Sequence, residues 1–209
     1  MSRLIALLPY SPLSAQKRLS RIAIAWLSVA LGIAMMIRSG LGVAPIDSLI
    51  TGLSDRVGAS FGFTFVAFSM SLYALGWLLG SPPGPASVAG SVVIGPVVGM
   101  ALNRFDEPAA LLLRMAACGL GLVLIAVGIS FAISTNLGPG PTEVVMLGMH
   151  RHGMNLVVAR WLIDGALLLG AVILGGPLGI GTAVFLVAMA PMVKAGLGVL
   201  HYDPFAVRS

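Results

Sequence analysis

The sequence predicts an all-α polytopic membrane protein: six long transmembrane helices and two short half-helices, built from two internal repeats. Three observations carry that expectation: a scarcity of charge, long uncharged segments divided by Gly/Pro breaks, and a register shift that matches the two halves of the chain. Only 12 Lys+Arg and 7 Asp+Glu occur among 209 residues, 9% of the chain, against roughly 25% in a soluble domain. Hydrophobic residues make 58% and there are 27 glycines, a mix suited to helices packed in lipid. A soluble globular domain and intrinsic disorder are excluded. The single cysteine, Cys118, excludes a disulfide framework and a classical zinc site. Net charge is +5, yet the basic residues form no stripe with interleaved aromatics, so no nucleic-acid partner is expected.

The elements follow in order. Arg3, Lys17, Arg18 and Arg21 fall in residues 1–21, a basic segment expected in the cytoplasm. The apolar patch at 4–8 is shorter than a signal-peptide core, so the first span is expected to serve as its own targeting signal. That span is 22–37, which holds no charge. Residues 57–103 are also uncharged and are broken at Ser81-Pro82-Pro83-Gly84-Pro85, which reads as two helices joined by a tight hairpin. The remaining long helices are 111–134, 154–174 and 180–199, the last two separated by the Gly/Pro turn at 175–179. Two short segments, 46–57 and 142–152, follow the Gly/Pro stretches 40–45 and 136–141. Each is about half a bilayer long.

The halves align with a shift of 96 residues, then 95 after one gap: Gly32, Gly42, Pro45 and Gly52 match Gly128, Gly138, Pro141 and Gly148, and Gly80, Pro82, Gly84 and Pro96 match Gly175, Pro177, Gly179 and Pro191. Glycines and prolines shared at breakpoints set the backbone rather than the hydrophobicity, which makes them the informative matches. Repeat 1 is therefore 22–103, a loop covers 104–110, repeat 2 is 111–201 and a tail covers 202–209. If the short segments dip and return, the repeats are inverted, and Arg56, Arg104 and Arg114 lie outside. If each completes a crossing, the repeats are parallel, those arginines lie inside and the hairpin at 81–85 lies outside. The positive-inside rule favours the parallel arrangement.

Gly-Leu-Gly-x-x-Pro after the first helix, Gly138-Pro139-Gly140-Pro141, the Arg160–Asp164 spacing and the turn Gly175-Gly176-Pro177-x-Gly179-Ile180-Gly181-Thr182 resemble the YczE/YyaS/YitT group of bacterial membrane proteins. The resemblance covers most of 32–194. It implies a multi-pass protein of the bacterial cytoplasmic membrane and supplies no substrate.

Pro45 and Pro141 sit where the short helices start, with Asp47 and Glu143 two residues on. Capping accounts for this by itself, with Pro at the first helical position and an acid in the first turn facing the positive end of the dipole. The functional reading adds depth: helix starts at the membrane midplane, beside the Gly42 and Gly138 breaks, form a substrate site in several secondary transporters. Asp47 and Glu143 would then carry a coupling proton or cation, and free N–H groups would hold an anionic group. Arg160 and Asp164, four apart on one helix face, form an expected intramembrane ion pair, which serves either as a structural clamp or as part of a site. Arg38 ends the first helix and either snorkels or faces an internal cavity; Lys194 is expected to snorkel. His150 and His152 lack a third ligand nearby, so no metal site is expected. No hydrolase or protease motif occurs, so neither a catalytic residue nor a cofactor is expected and the chain is not expected to be an enzyme. A small-solute permease whose partners are membrane lipid and a small molecule or ion is the leading function. An accessory membrane protein supporting another complex is the alternative, an intramembrane enzyme is less favoured, and homo-oligomerisation stays open.

Overall fold

Helix boundaries fall where backbone chemistry places them. Proline, whose missing N–H costs nothing in a first turn, opens three helices, and residues in the left-handed region, Gly40, Gly58 and Asn136, close three. The computed structural model describes residues 14–201, so the readings on Arg3, on 4–8 and on the tail lie outside the described residues. Within them the chain is all-helical: α1 (Ala15–Ser39), α2 (Pro45–Val57), α3 (Phe61–Leu78), α4 (Pro85–Leu102), α5 (Leu111–Thr135), α6 (Pro141–Arg151), α7 (Leu156–Leu174) and α8 (Ile180–Val199). Lys17, Arg18 and Arg21 belong to the first turns of α1. Five helices are long and apolar enough to cross a membrane: Gln16–Ser39, Phe61–Leu78, Pro85–Leu102, Leu111–Thr135 and Ile180–Val199.

Many large apolar side chains face outward, and many small polar ones join the apolar core inside. Leu78, Leu112, Trp161 and Val187 are exposed, whereas Ser39, Ser48, Ser69, Ser130, Ser134 and Thr135 are fully buried. This inverts the soluble pattern and fits lipid outside, where association rests on close packing and interhelical hydrogen bonds instead of hydrophobic burial. The central contact is α1 against α5. A Cβ on Gly32 would stand 2.6 Å from the Gly121 carbonyl oxygen, and one on Gly128 would stand 2.8 Å from that of Ala25. Backbones approach this closely only where no side chain intervenes.

Helix α1 runs antiparallel to α5. The Arg18 Nε–H donates to the Thr135 carbonyl at 2.9 Å near one end, and the Arg114 Nε–H donates to the Ser39 carbonyl at 2.6 Å near the other. Helix α4 lies along α1, with Gly90 against Trp26 and the Arg38 guanidinium on the Leu102 carbonyl. Helix α8 lies along α5, with Gly181 against Cys118 and Gly196 against Ser130. Helix α3 returns antiparallel to α4, joined by Gly62 to Gly95 and by Tyr73 to Ser87 and Ser91.

The parallel arrangement of repeats is overturned by these directions. Repeats related by an axis along the membrane normal would carry α1 and α5, their corresponding first helices, in the same direction. Here they run oppositely. The start of α1 and the 81–85 hairpin therefore share one end of the molecule, marked by Arg18, Thr135 and the Ala86 N–H that donates to Leu137. Arg104 lies at the other end, beside the close of α4, with Arg38, Arg114 and the end of α1.

Five arginines donate to main-chain carbonyls at or just past helix ends: Arg18 to Thr135, Arg38 to Leu102, Arg56 to Ile173, Arg114 to Ser39 and Arg151 to Gly80. The last carbonyls of a helix have no intrahelical partner and carry the negative end of the dipole, so a guanidinium there is stabilising on both counts. Positions fixed by capping carry less information about which side of the membrane they occupy.

Candidate functional site

The breaks before α2 and α6 are pinned against the starts of α8 and α4 respectively. Gly42 (φ +106°) lies against Gly179 and Thr182, and Gly138 (φ +141°) lies against Gly84 and Ser87. The Gly181 N–H donates to the Leu41 carbonyl at 2.7 Å, and the Ala86 N–H to the Leu137 carbonyl at 3.4 Å. Each pair of contacts is one arrangement written twice, related by the shift of 96 before the gap and 95 after it. Both short helices thus begin inside the bundle, and Pro45 and Pro141 stand at their first positions.

Their starts border one cavity of about 280 Å³. Its walls run from Ile22 to Ile33 on α1 and from Ile125 to Ile133 on α5 and include Ala86 and Ser87 in the first turn of α4, so the space extends from the middle of the bundle toward the end where α1 starts. Pro45 and Asp47 come from the α2 start; Gly138, Pro141 and Glu143 come from the α6 start; Arg160 and Asp164 come from α7. Arg38 and Gly42 are elsewhere: the first caps α4, and the second buttresses the α8 start.

Arg160 joins two acids. Its Nη1 meets Glu143 Oε1 at 2.9 Å and its Nε meets Asp164 Oδ2 at 2.8 Å, while Thr142 Oγ1 donates to Glu143 Oε2 at 3.1 Å. Asp164 is the more enclosed acid, its side chain 16% exposed against 39% for Glu143. The i,i+4 pair was legible in the sequence. Glu143 as a third member was not, because it depends on how α6 folds back on α7. The available signal was that charges at membrane depth seek partners.

Asp47 differs from its counterpart. It is 4% exposed, borders the cavity and, among the described residues, forms no side-chain hydrogen bond or ion pair. At the shift of 95, Phe65 and Ser69 stand where Arg160 and Asp164 do, so no cation occupies the position beside Asp47 that Arg160 occupies beside Glu143. Phe65 lines the cavity, and the buried Ser69 hydroxyl has no partner. Sequence reasoning missed Trp26, Tyr73, Ser87 and Ser91 as wall residues. Tyr73 is held by donating its hydroxyl to the Ser87 carbonyl at 2.7 Å. His150 and His152 stand apart, each with Nδ1 on a local main-chain carbonyl.

Known proteins place the chain in a family. A family model described as a family of unknown function, DUF6198, matches residues 16–196. An uncharacterized protein of Haemophilus influenzae is 25% identical over 189 residues, 90% of this chain and 87% of that one. The uncharacterized protein YyaS of Bacillus subtilis is 30% identical over 163 residues, 75% of this chain and 80% of that one. The uncharacterized membrane protein YczE of the same organism is 28% identical over 165 residues, 74% of this chain and 73% of that one. No solved structure matches. With apolar helices of spanning length and a membrane protein among its relatives, the chain is an α-helical membrane protein that belongs to the DUF6198 family, in the company of YyaS and YczE.

Proposed function

We propose that the protein is a small-solute permease of the bacterial cytoplasmic membrane, with its site between the starts of α2 and α6. In this reading α1, α3, α4, α5, α7 and α8 are six spans. The repeats are inverted, and α2 and α6 dip in from opposite faces and return to them. Support for inversion comes from the antiparallel α1 and α5 and from contacts that recur at the repeat shift, such as Arg18 on Thr135 and Arg114 on Ser39. The end bearing Lys17 and Arg21, together with Lys194 near the end of α8, is assigned to the cytoplasm. At the opposite end Arg38, Arg56 and Arg114 are all engaged in capping, which leaves Arg104 alone to weigh against that assignment.

The observation that carries the reading is Asp47, buried and unpartnered on the wall of a cavity inside the bundle. A carboxylate out of water costs several kcal/mol without compensation. It persists there either with a proton or with a cation opposite it, and exchange of one for the other couples solute movement to a gradient. Capping of α2 accounts for an acid at this position but not for its facing an open cavity, and an accessory protein has no use for such a cavity. Reconstituted protein screened for solute uptake in liposomes tests the proposal. At least one small solute is expected to enter, with uptake reduced about tenfold or more in Asp47→Asn while folded yield is kept. Uptake of no solute by folded protein, or uptake indifferent to Asp47→Asn and Glu143→Gln, would contradict it.

A further inference from the structure

We infer that the cavity selects a small organic monocation, an ammonium group carried on a compact apolar body. The inference rests on the permease reading and names its substrate class. Four charged residues line the cavity, and three are acids: Asp47, Glu143 and Asp164 against Arg160. Arg160 already serves Glu143 and Asp164, so the triad as a whole is an acid in excess. An anion entering would meet that excess and the Asp47 carboxylate. The N-terminal dipole ends of α2 and α6, the natural anion sites, each already have an acid in the first turn.

A cation meets the reverse situation. Asp47 is more than nine-tenths buried, lacks a partner and borders the space, so an ammonium there supplies the missing counter-charge at short range and low dielectric. The rest of the wall suits the body of such a molecule. Trp26, Phe65, Tyr73 and Phe185 contribute aromatic surface, and Val29, Ile33, Ile125 and Ile129 contribute aliphatic surface. Aromatic faces attract quaternary and primary ammonium groups. A bare metal ion would want several oxygen ligands gathered around one point, and among the described residues no cluster of three metal-binding side chains exists. At about 280 Å³ the space suits a small solute instead of a drug-sized one.

Three compact molecules of different charge separate the cases: tetramethylammonium, tert-butanol and pivalate. Binding to the full chain in nanodiscs is measured by calorimetry, and uptake is followed in proteoliposomes. Tetramethylammonium is expected to bind at least about tenfold more tightly than tert-butanol, pivalate is expected not to bind, and Asp47→Asn is expected to weaken tetramethylammonium by about tenfold or more. Phe65→Leu, which keeps an apolar wall of similar bulk but removes a ring, is expected to weaken the cation more than the alcohol. Equal binding of the alcohol, tighter binding of pivalate, or no binding of tetramethylammonium would each overturn the cation inference. The uptake screen separates the two failures: another solute carried in an Asp47-dependent way leaves the permease reading standing, and no solute carried removes both.

Discussion

At the scale of residues, the cavity contains one paired and one unpaired carboxylate system. Arg160 holds Glu143 at 2.9 Å and Asp164 at 2.8 Å, whereas Asp47 stands alone. Removing the arginine makes the paired set resemble the unpaired one. Arg160→Ala is expected to destabilise the protein by roughly 1–3 kcal/mol. That is below the 3–5 kcal/mol of a fully buried pair, because Arg160 and Glu143 are partly open to the cavity. Adding Glu143→Gln and Asp164→Asn is expected to restore part of the loss, since two lone acids are then neutralised; thermal unfolding in detergent reads both. A triple variant that is worse than Arg160→Ala by the sum of its parts would mean independent, solvated residues. The Arg160–Asp164 pair could be read from helical spacing alone. The partnership of Glu143 with Arg160 could not, because their separation in sequence is closed by a helical hairpin whose packing no periodicity encodes.

At the scale of elements, the helices themselves were largely legible. Proline starts, glycine stops and uncharged runs gave the short helices to within a residue or so, at Pro45–Val57 and Pro141–Arg151, because these are local backbone effects. Their direction was not legible. The positive-inside rule reads arginine as a marker of sidedness, while Arg56 and Arg114 here serve as caps on α7 and α1. The fold of the breaks makes its own demand. Gly42 and Gly138 combine a left-handed φ with backbone or side-chain atoms 2.5 to 2.6 Å from where a Cβ would sit, so alanine meets both backbone strain and a clash. Gly42→Ala and Gly138→Ala are each expected to cost about 1–3 kcal/mol and, since they occupy corresponding places, similar amounts. A thermal shift close to zero at either position would mean that the break relaxes and does not fix the helix start.

At the scale of the whole molecule, the site follows from the directions of the helices. Two half-helices entering from the same face would place both starts and both returns on one side of the bundle. In the proposed arrangement they enter from opposite faces, and their first turns border one cavity together with residues of α1, α4, α5 and α7. The two helix starts each bring an acid to that cavity, and among the described residues Glu143 has Arg160 as its partner whereas Asp47 has none. The shared positions of glycines and prolines are the sequence signal for a duplication. The opposite directions of α1 and α5, seen in the contacts of Arg18 and Arg114, are the support for the proposed inverted arrangement. The most direct test places single cysteines at the exposed positions Lys17, Pro82 and Asp106, on a background with Cys118 replaced by alanine, and labels intact cells with a membrane-impermeant thiol reagent. The inverted arrangement requires Lys17→Cys and Pro82→Cys to behave alike and opposite to Asp106→Cys, and with the start of α1 in the cytoplasm it predicts that Asp106→Cys reacts while the other two are protected until the membrane is permeabilised. Reaction at Pro82→Cys with Lys17→Cys and Asp106→Cys both protected would contradict it.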